Sequence, residues 1–233
     1  MSVDTMRILK TYLDNPISKL ALRFLLRKDK KYGKTHLEIA IEDLLGENSS
    51  PSLSTRIAKA IIKKAIKSSA KVFNVSFEDA LEIFRLSYAR RALVSVLKGI
   101  LHFRVAKPFT PGAPFLVVWD YTYRCNLRCK HCYIAAGGYD RPEMSLDERR
   151  KALDILADAG VTIIAFSGGE PLMGPGIFEM IKRADEYGIY TAMATNGTLI
   201  TEQVAERLAK AGLKYVQISL DAPIPHIHDE FRG

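Results

Sequence analysis

Three cysteines, Cys125, Cys129 and Cys132, fall within eight residues of one another in the run Cys125-Asn-Leu-Arg-Cys129-Lys-His-Cys132, and the chain has no others. Thiolates are soft ligands that suit iron–sulfur clusters, zinc or copper(I). An odd number gathered in one place is no disulfide framework and points to metal binding in a reducing compartment. Three thiolates can hold three irons of a [4Fe–4S] cube and leave the fourth iron without a protein ligand. Such an open position is what a catalytic metal site needs. The competing reading is a structural zinc held by the same cysteines and His131. Because His131 and Cys132 are adjacent, bringing both onto one ion demands an awkward loop.

Three further segments carry chemistry of a different kind. Ser167-Gly168-Gly169-Glu170-Pro171 combines two glycines, which let backbone carbonyls come close to a ligand, with a carboxylate suited to an ammonium. Its plainer reading is a tight turn before a helix. Thr195-Asn196-Gly197 contains a common turn dipeptide. Ser219 and Asp221 are compatible with a strand end and a helix cap.

The elements around these segments alternate. Residues 115–119 (FLVVW) form an apolar run of strand length, and 161–166, 189–194 and 214–220 repeat the pattern. Between them lie helices opened by the Ser145…Glu148 capping box and running to Gly160, over 176–187 ended by Gly188, and over 201–211 ended by Gly212. Strands alternating with such helices make parallel βαβ units. In parallel sheets and βα barrels, ligands bind on the loops that follow the strands. The cysteines follow the first strand, Gly168–Glu170 the second and Thr195-Asn196 the third, while Ser219 and Asp221 end the fourth. All of them are therefore expected on one face.

Residues 1–107 read as helical: 3–13, 17–26, 35–45, 54–73 and 77–101 are amphipathic, with breaks at Asn15-Pro16 and across 46–51. Ser76, with Asp79 three residues on, is a plausible cap for the last of them. The proline-rich stretch 108–114 reads as a linker to a core over 115–233. Charge divides the same way: residues 1–110 hold 21 Lys and Arg against 10 Asp and Glu, and 111–233 hold 13 against 16. Arg56, Lys59, Lys63, Lys67 and Lys71 form one basic stripe on a helix. The stripe fits the solvated face of a bundle better than its rival, contact with an anionic membrane surface. No helix-turn-helix, zinc-finger or RNA-motif signature accompanies it, which argues against nucleic acid as a partner. At 48% hydrophobic and 26% charged residues over 233, with no apolar run of membrane length and no signal-peptide pattern, the chain is expected to be a cytoplasmic globular protein.

The C-x3-C-x2-C triad directly after a first βα-type strand resembles the radical S-adenosylmethionine (radical SAM) superfamily. Val216-Gln-Ile-Ser-Leu-Asp221 and the closing His228-Asp229-Glu-Phe-Arg232-Gly233 are similar to its branch containing the molybdenum-cofactor cyclase, heme-biosynthesis enzymes and SPASM-type peptide-modifying maturases. The resemblance covers about residues 114–233. It implies an α/β fold, an incomplete parallel βα (partial TIM-like) barrel preceded by an all-helical N-terminal region. It also implies a [4Fe–4S] cluster on Cys125, Cys129 and Cys132, with SAM chelating the open iron. Gly168, Gly169 and Glu170 would hold the SAM amino group, and Thr195 and Ser219 its methionine portion. Asn196 and Asp221 would serve the ribose or the surrounding network. His131 would stand near the adenine. Reductive cleavage of SAM would give a 5′-deoxyadenosyl radical that abstracts hydrogen from a cofactor precursor, tetrapyrrole, peptide or lipid. The electron would come from a low-potential donor such as a ferredoxin or flavodoxin. No residue is assigned to control of the substrate radical. Family cores have six βα units and this chain ends after a fourth strand, so a fragment of a longer enzyme is expected. The rival readings are a zinc-stabilised non-catalytic α/β module and an inactive radical SAM-like scaffold.

Overall fold

The computed structural model describes residues 10, 13–47, 52–106, 108–137 and 141–233. The chain divides into two compact units, Met1–Phe115 and Leu116–Gly233.

The regular elements of the first unit's described residues are helices, with one isolated antiparallel bridge between Lys28 and Thr35. Helices α1 (Pro16–Leu25), α2 (His36–Leu44), α3 (Leu53–Phe73), α4 (Phe77–Glu82) and α5 (Ser87–Phe103) follow in order. Their starts are set by side chains that satisfy otherwise orphaned N–H groups. Asn15 accepts from Ser18 N–H, Thr35 and Glu38 form a reciprocal box, and Ser52 and Ser76 cap α3 and α4. Leu25, Leu37, Ile41, Ala58, Ile62 and Val94 make its main core. The helix expected over 3–13 lies almost wholly outside the described residues.

The sequence reads 77–101 as one helix, but the chain breaks into α4, a 3₁₀ turn at Ile83–Arg85, and α5. Leu86 is extended (φ −75°, ψ 115°), and the Arg90 guanidinium donates to the Phe84 carbonyl at 2.8 Å, replacing a backbone partner lost at the break. The stretch read as a linker packs back on α5: Gly112 N–H donates to the Ser95 carbonyl at 2.8 Å. In the basic stripe Lys59 is tied to Asp43 at 2.8 Å, while Arg56, Lys63, Lys67 and Lys71 are exposed.

The second unit is the expected α/β half. Strands β1 (Leu116–Thr122), β2 (Ile163–Gly168), β3 (Tyr190–Thr195) and β4 (Tyr215–Ile218) form one sheet in the order β1-β2-β3-β4. Every neighbouring pair is parallel. Helices α6 (Leu146–Ala159), α7 (Ile177–Glu186) and α8 (Glu202–Ala211) connect the strands, and α9 (Pro225–Arg232) follows β4. The core lies between sheet and helices, where Trp119, Phe166, Leu153, Met180, Ile181 and Met193 interlock. β1 runs three residues further than the apolar pattern suggests. Asp120 and Thr122 still pair with Ser167 and Gly168 across a bulge. Polar residues at a strand end look like loop in sequence, yet the neighbouring strand supplies their backbone partners.

Candidate functional site

The loops that leave the carboxyl ends of the four strands meet over the sheet and enclose a cavity of about 230 Å³. Cys125, Cys129 and Cys132 line it together with residues of the β2, β3 and β4 ends. The structure thus brings Gly168, Gly169, Thr195, Asn196 and Ser219 to the cysteines, as well as His131 and Tyr133.

What holds the cysteine loop is a set of contacts on each side. At its start, buried Arg149 (1% exposed) lies over the Tyr121 ring at 4.4 Å and pairs with Glu143 at 2.8 Å. Glu143 in turn accepts from Tyr123 N–H at 2.6 Å and the Thr122 hydroxyl at 2.8 Å. Burial works to raise the Glu143 pKa. The bonds from Tyr123, Thr122 and Arg149 outweigh it and hold the carboxyl below the usual range. At the other side the end of α9 docks on the loop. Arg128 N–H donates to the Arg232 carbonyl at 3.1 Å and Lys130 N–H to the Phe231 carbonyl at 3.0 Å. The His131 and Phe231 rings stack with centroids 4.6 Å apart.

The glycine pair has a further reason beyond approach to a ligand. Gly169 N–H donates to the Thr122 carbonyl at 2.7 Å and Glu170 N–H to the Arg124 carbonyl at 2.8 Å, which stitches the β2 loop to the segment entering the cysteines. A Cβ on Gly169 would stand 2.2 Å from the Arg124 carbonyl oxygen. One on Gly168, whose φ is +111°, would stand 2.6 Å from that of Thr122. Only glycine permits both the approach and the conformation.

Glu170 is placed differently from the expectation. Its side chain has no exposed surface and does not line the cavity. The carboxylate accepts from the Thr195 hydroxyl at 2.9 Å, Asn196 N–H at 2.9 Å and Leu172 N–H at 3.2 Å. It acts from behind, fixing the loop after β3. From that loop the Asn196 amide reaches Asn126 Oδ1 at 2.9 Å, inside the cysteine loop, and lies 4.0 Å from Cys125 Sγ. Asp221 is likewise engaged elsewhere: Arg232 Nε donates to its carboxylate at 2.5 Å.

Arg232 is the residue that reading the sequence misses. Its Nη1 stands 3.9 Å from Cys129 Sγ and it lines the cavity, although it lies 103 residues away along the chain. Each sulfur therefore has an N–H donor: Leu127 (3.5 Å) and Asn196 for Cys125, Arg232 for Cys129, and Ala136 (3.3 Å) for Cys132. Donors converging on sulfur suit a thiolate that ligates iron better than a neutral thiol. Among the described residues, no three His, Cys, Asp or Glu side chains are drawn together as a single ion requires. A tetrahedral zinc would hold its thiolates about 3.8 Å apart. A cluster in which each thiolate takes its own iron does not impose that convergence.

Residues 119–233 match the family model of the radical SAM superfamily. Members of that superfamily use a [4Fe–4S] cluster and SAM. Among curated relatives, the AdoMet-dependent heme synthase of Methanosarcina barkeri is 38% identical over 123 residues, 52% of this chain and 35% of that protein. The Fe-coproporphyrin III synthase of the same organism is 44% identical over 119 residues, 51% of this chain and 30% of that one. The mycofactocin maturase MftC of Mycobacterium tuberculosis is 36% identical over 132 residues, 56% of this chain and 34% of that one. The chain spans about a third of the length of the curated relatives it matches. Among solved structures, Streptococcus suis SuiB bound to its precursor peptide SuiA is similar in fold. The TM-score is 0.50 at 22% identity, covering 84% of this chain and 44% of SuiB.

Proposed function

We propose that this chain carries the cofactor-binding part of a radical SAM enzyme. Cys125, Cys129 and Cys132 would ligate three irons of a [4Fe–4S] cluster, and SAM would occupy the open iron against the wall formed by Gly168, Gly169, Thr195, Asn196 and Ser219. When bound, the cluster and SAM supply an electron and a 5′-deoxyadenosyl radical able to abstract hydrogen from an unreactive carbon. The observation that carries the reading is the meeting of all three sulfurs, each with its own N–H donor, and the three glycine- or hydroxyl-bearing strand ends on one cavity.

The chain's own residues then have separable tasks. Backbone and hydroxyl groups of the β2 to β4 loops present hydrogen-bonding atoms to an amino acid moiety. Arg232 places positive charge beside Cys129 and offsets the negative charge of a thiolate cluster. Glu170 and Asp221 act one layer back: the first positions Thr195 and Asn196, the second aims Arg232. The electron would come from a low-potential ferredoxin or flavodoxin in the cytoplasm. Relatives named for heme, coproporphyrin and mycofactocin synthesis support an enzyme that modifies a cofactor, tetrapyrrole or peptide precursor.

Anaerobic reconstitution tests this. The chain should bind about four irons and four sulfides, and Ala at any one of the three cysteines should abolish the stable cluster. A colourless protein with one equivalent of zinc would contradict the proposal.

A further inference from the structure

β1 alternates. Trp119 and Tyr121 point into the core under the helices, so Leu116, Val118 and Asp120 face the opposite, concave side of the sheet. The strand register extends that face into rows. Asp120 sits beside Ser167, and by the same register Ala194 and Gln217 continue its row across β3 and β4. The row beneath consists of Val118, Ala165, Ala192 and Tyr215. A row holding Asp120, Ser167 and Gln217, with Asp120 its one charged member, therefore lies just under the cysteine cavity, above an apolar floor on which Val118 is 58% exposed.

Tyr133, which follows the last cysteine and lines the cavity, donates its hydroxyl to Asp120 Oδ1 at 2.7 Å. Among the described residues no Lys or Arg pairs with Asp120. An anion held at one oxygen by a neutral donor, with no counter-cation in its row, favours a cation from outside and repels a carboxylate.

We propose that Asp120 is the substrate-anchoring residue of this site, taking a protonated nitrogen (an amine or guanidinium) of a substrate whose apolar body lies on Val118 and its row. Tyr133 holds the carboxylate toward that nitrogen and ties it to the end of the cysteine loop. The inference rests on the cluster and SAM reading above, because the substrate side is defined by where they would lie.

The test uses the 233-residue chain reconstituted anaerobically, with iron content and SAM affinity measured on the same sample. Binding of n-hexylamine, n-hexanol and hexanoate at pH 7 is followed by ligand-observed NMR. Hexylamine should bind about fivefold more tightly than hexanol, the gain of a partly exposed ion pair, and hexanoate more weakly than either. Asp120→Asn keeps an oxygen for Tyr133 and removes the charge. It should erase the amine preference while iron content and SAM affinity stay unchanged. With iron and SAM bound, equal binding of amine and alcohol, or a preference that survives Asp120→Asn, overturns the assignment. A parallel fall in SAM affinity overturns it too, by giving Asp120 to SAM. A chain that takes up no iron overturns the cofactor reading and this inference with it.

Discussion

Replacing Glu170 by Ala distinguishes a carboxylate that touches SAM from one that builds the wall behind it. In the structure the side chain is fully buried and accepts from the Thr195 hydroxyl, Asn196 N–H and Leu172 N–H. Truncation leaves two backbone donors without a partner and frees the hydroxyl to turn elsewhere. An orphaned buried donor costs about 1–3 kcal/mol, so a loss of roughly 3 kcal/mol is expected, before any cofactor is present. The chain's single tryptophan, Trp119, reports on the right unit: it stacks on Phe166 with ring centroids 6.1 Å apart, in the core beneath the site. In the metal-free chain the urea midpoint of its fluorescence should fall by about 1.5 M, taking a slope of about 2 kcal/mol per M. Glu170→Gln, which keeps one acceptor oxygen, should lose roughly half as much. SAM binding by the reconstituted variant should weaken along with stability, because Thr195 and Asn196 are no longer held. An unchanged midpoint combined with lost SAM binding would refute the reasoning, since it would mean that the carboxylate meets the ligand itself.

Two further outcomes follow from the same scaffold. Gly169→Ala places a Cβ 2.2 Å from the Arg124 carbonyl, so the segment entering the cysteines must shift; reconstituted variant should retain well under half the iron of the unsubstituted chain by colorimetric assay. The Glu143 carboxyl has a folded pKa below its ordinary value. Its contribution is therefore fully present above the ordinary carboxylate pKa and lost as pH falls through the lowered folded value. Glu143→Gln should destabilise the metal-free chain at neutral pH and flatten the acid limb of its stability profile, both read from Trp119 fluorescence.

The sequence was legible where one residue type has one physical use. The cysteine spacing, the strand runs 161–166 and 189–194, and the helix stops at Gly160 and Gly212 rest on local chemistry: the strands form at Ile163–Gly168 and Tyr190–Thr195, shifted by two residues and one, and both glycines end their helices in the left-handed conformation. The common placement of the strand-end segments was also legible, because parallel topology forces it. What escaped depends on distant partners. The break at Leu86 is supported by Arg90, and no propensity in 77–101 announces it. The extension of β1 through Asp120 and Thr122 needs β2 as its template, which is why Asp120 went unnoticed. A Gly-Gly-Glu string tells which loop carries a carboxylate but not which way it points, and Glu170 points into the protein. Arg232 reaches Cys129 only because α9 folds back on the cysteine loop.

The central claim is that SAM meets an iron that the three cysteines leave open. Electron paramagnetic resonance of the dithionite-reduced, reconstituted chain with and without SAM tests it most directly. The account predicts a [4Fe–4S]⁺ signal whose g-values shift on adding SAM. It also predicts that Ser219→Ala, on the cavity wall, weakens the shift at subsaturating SAM while iron content stays the same. A cluster signal indifferent to saturating SAM, or no cluster signal at all, would contradict it.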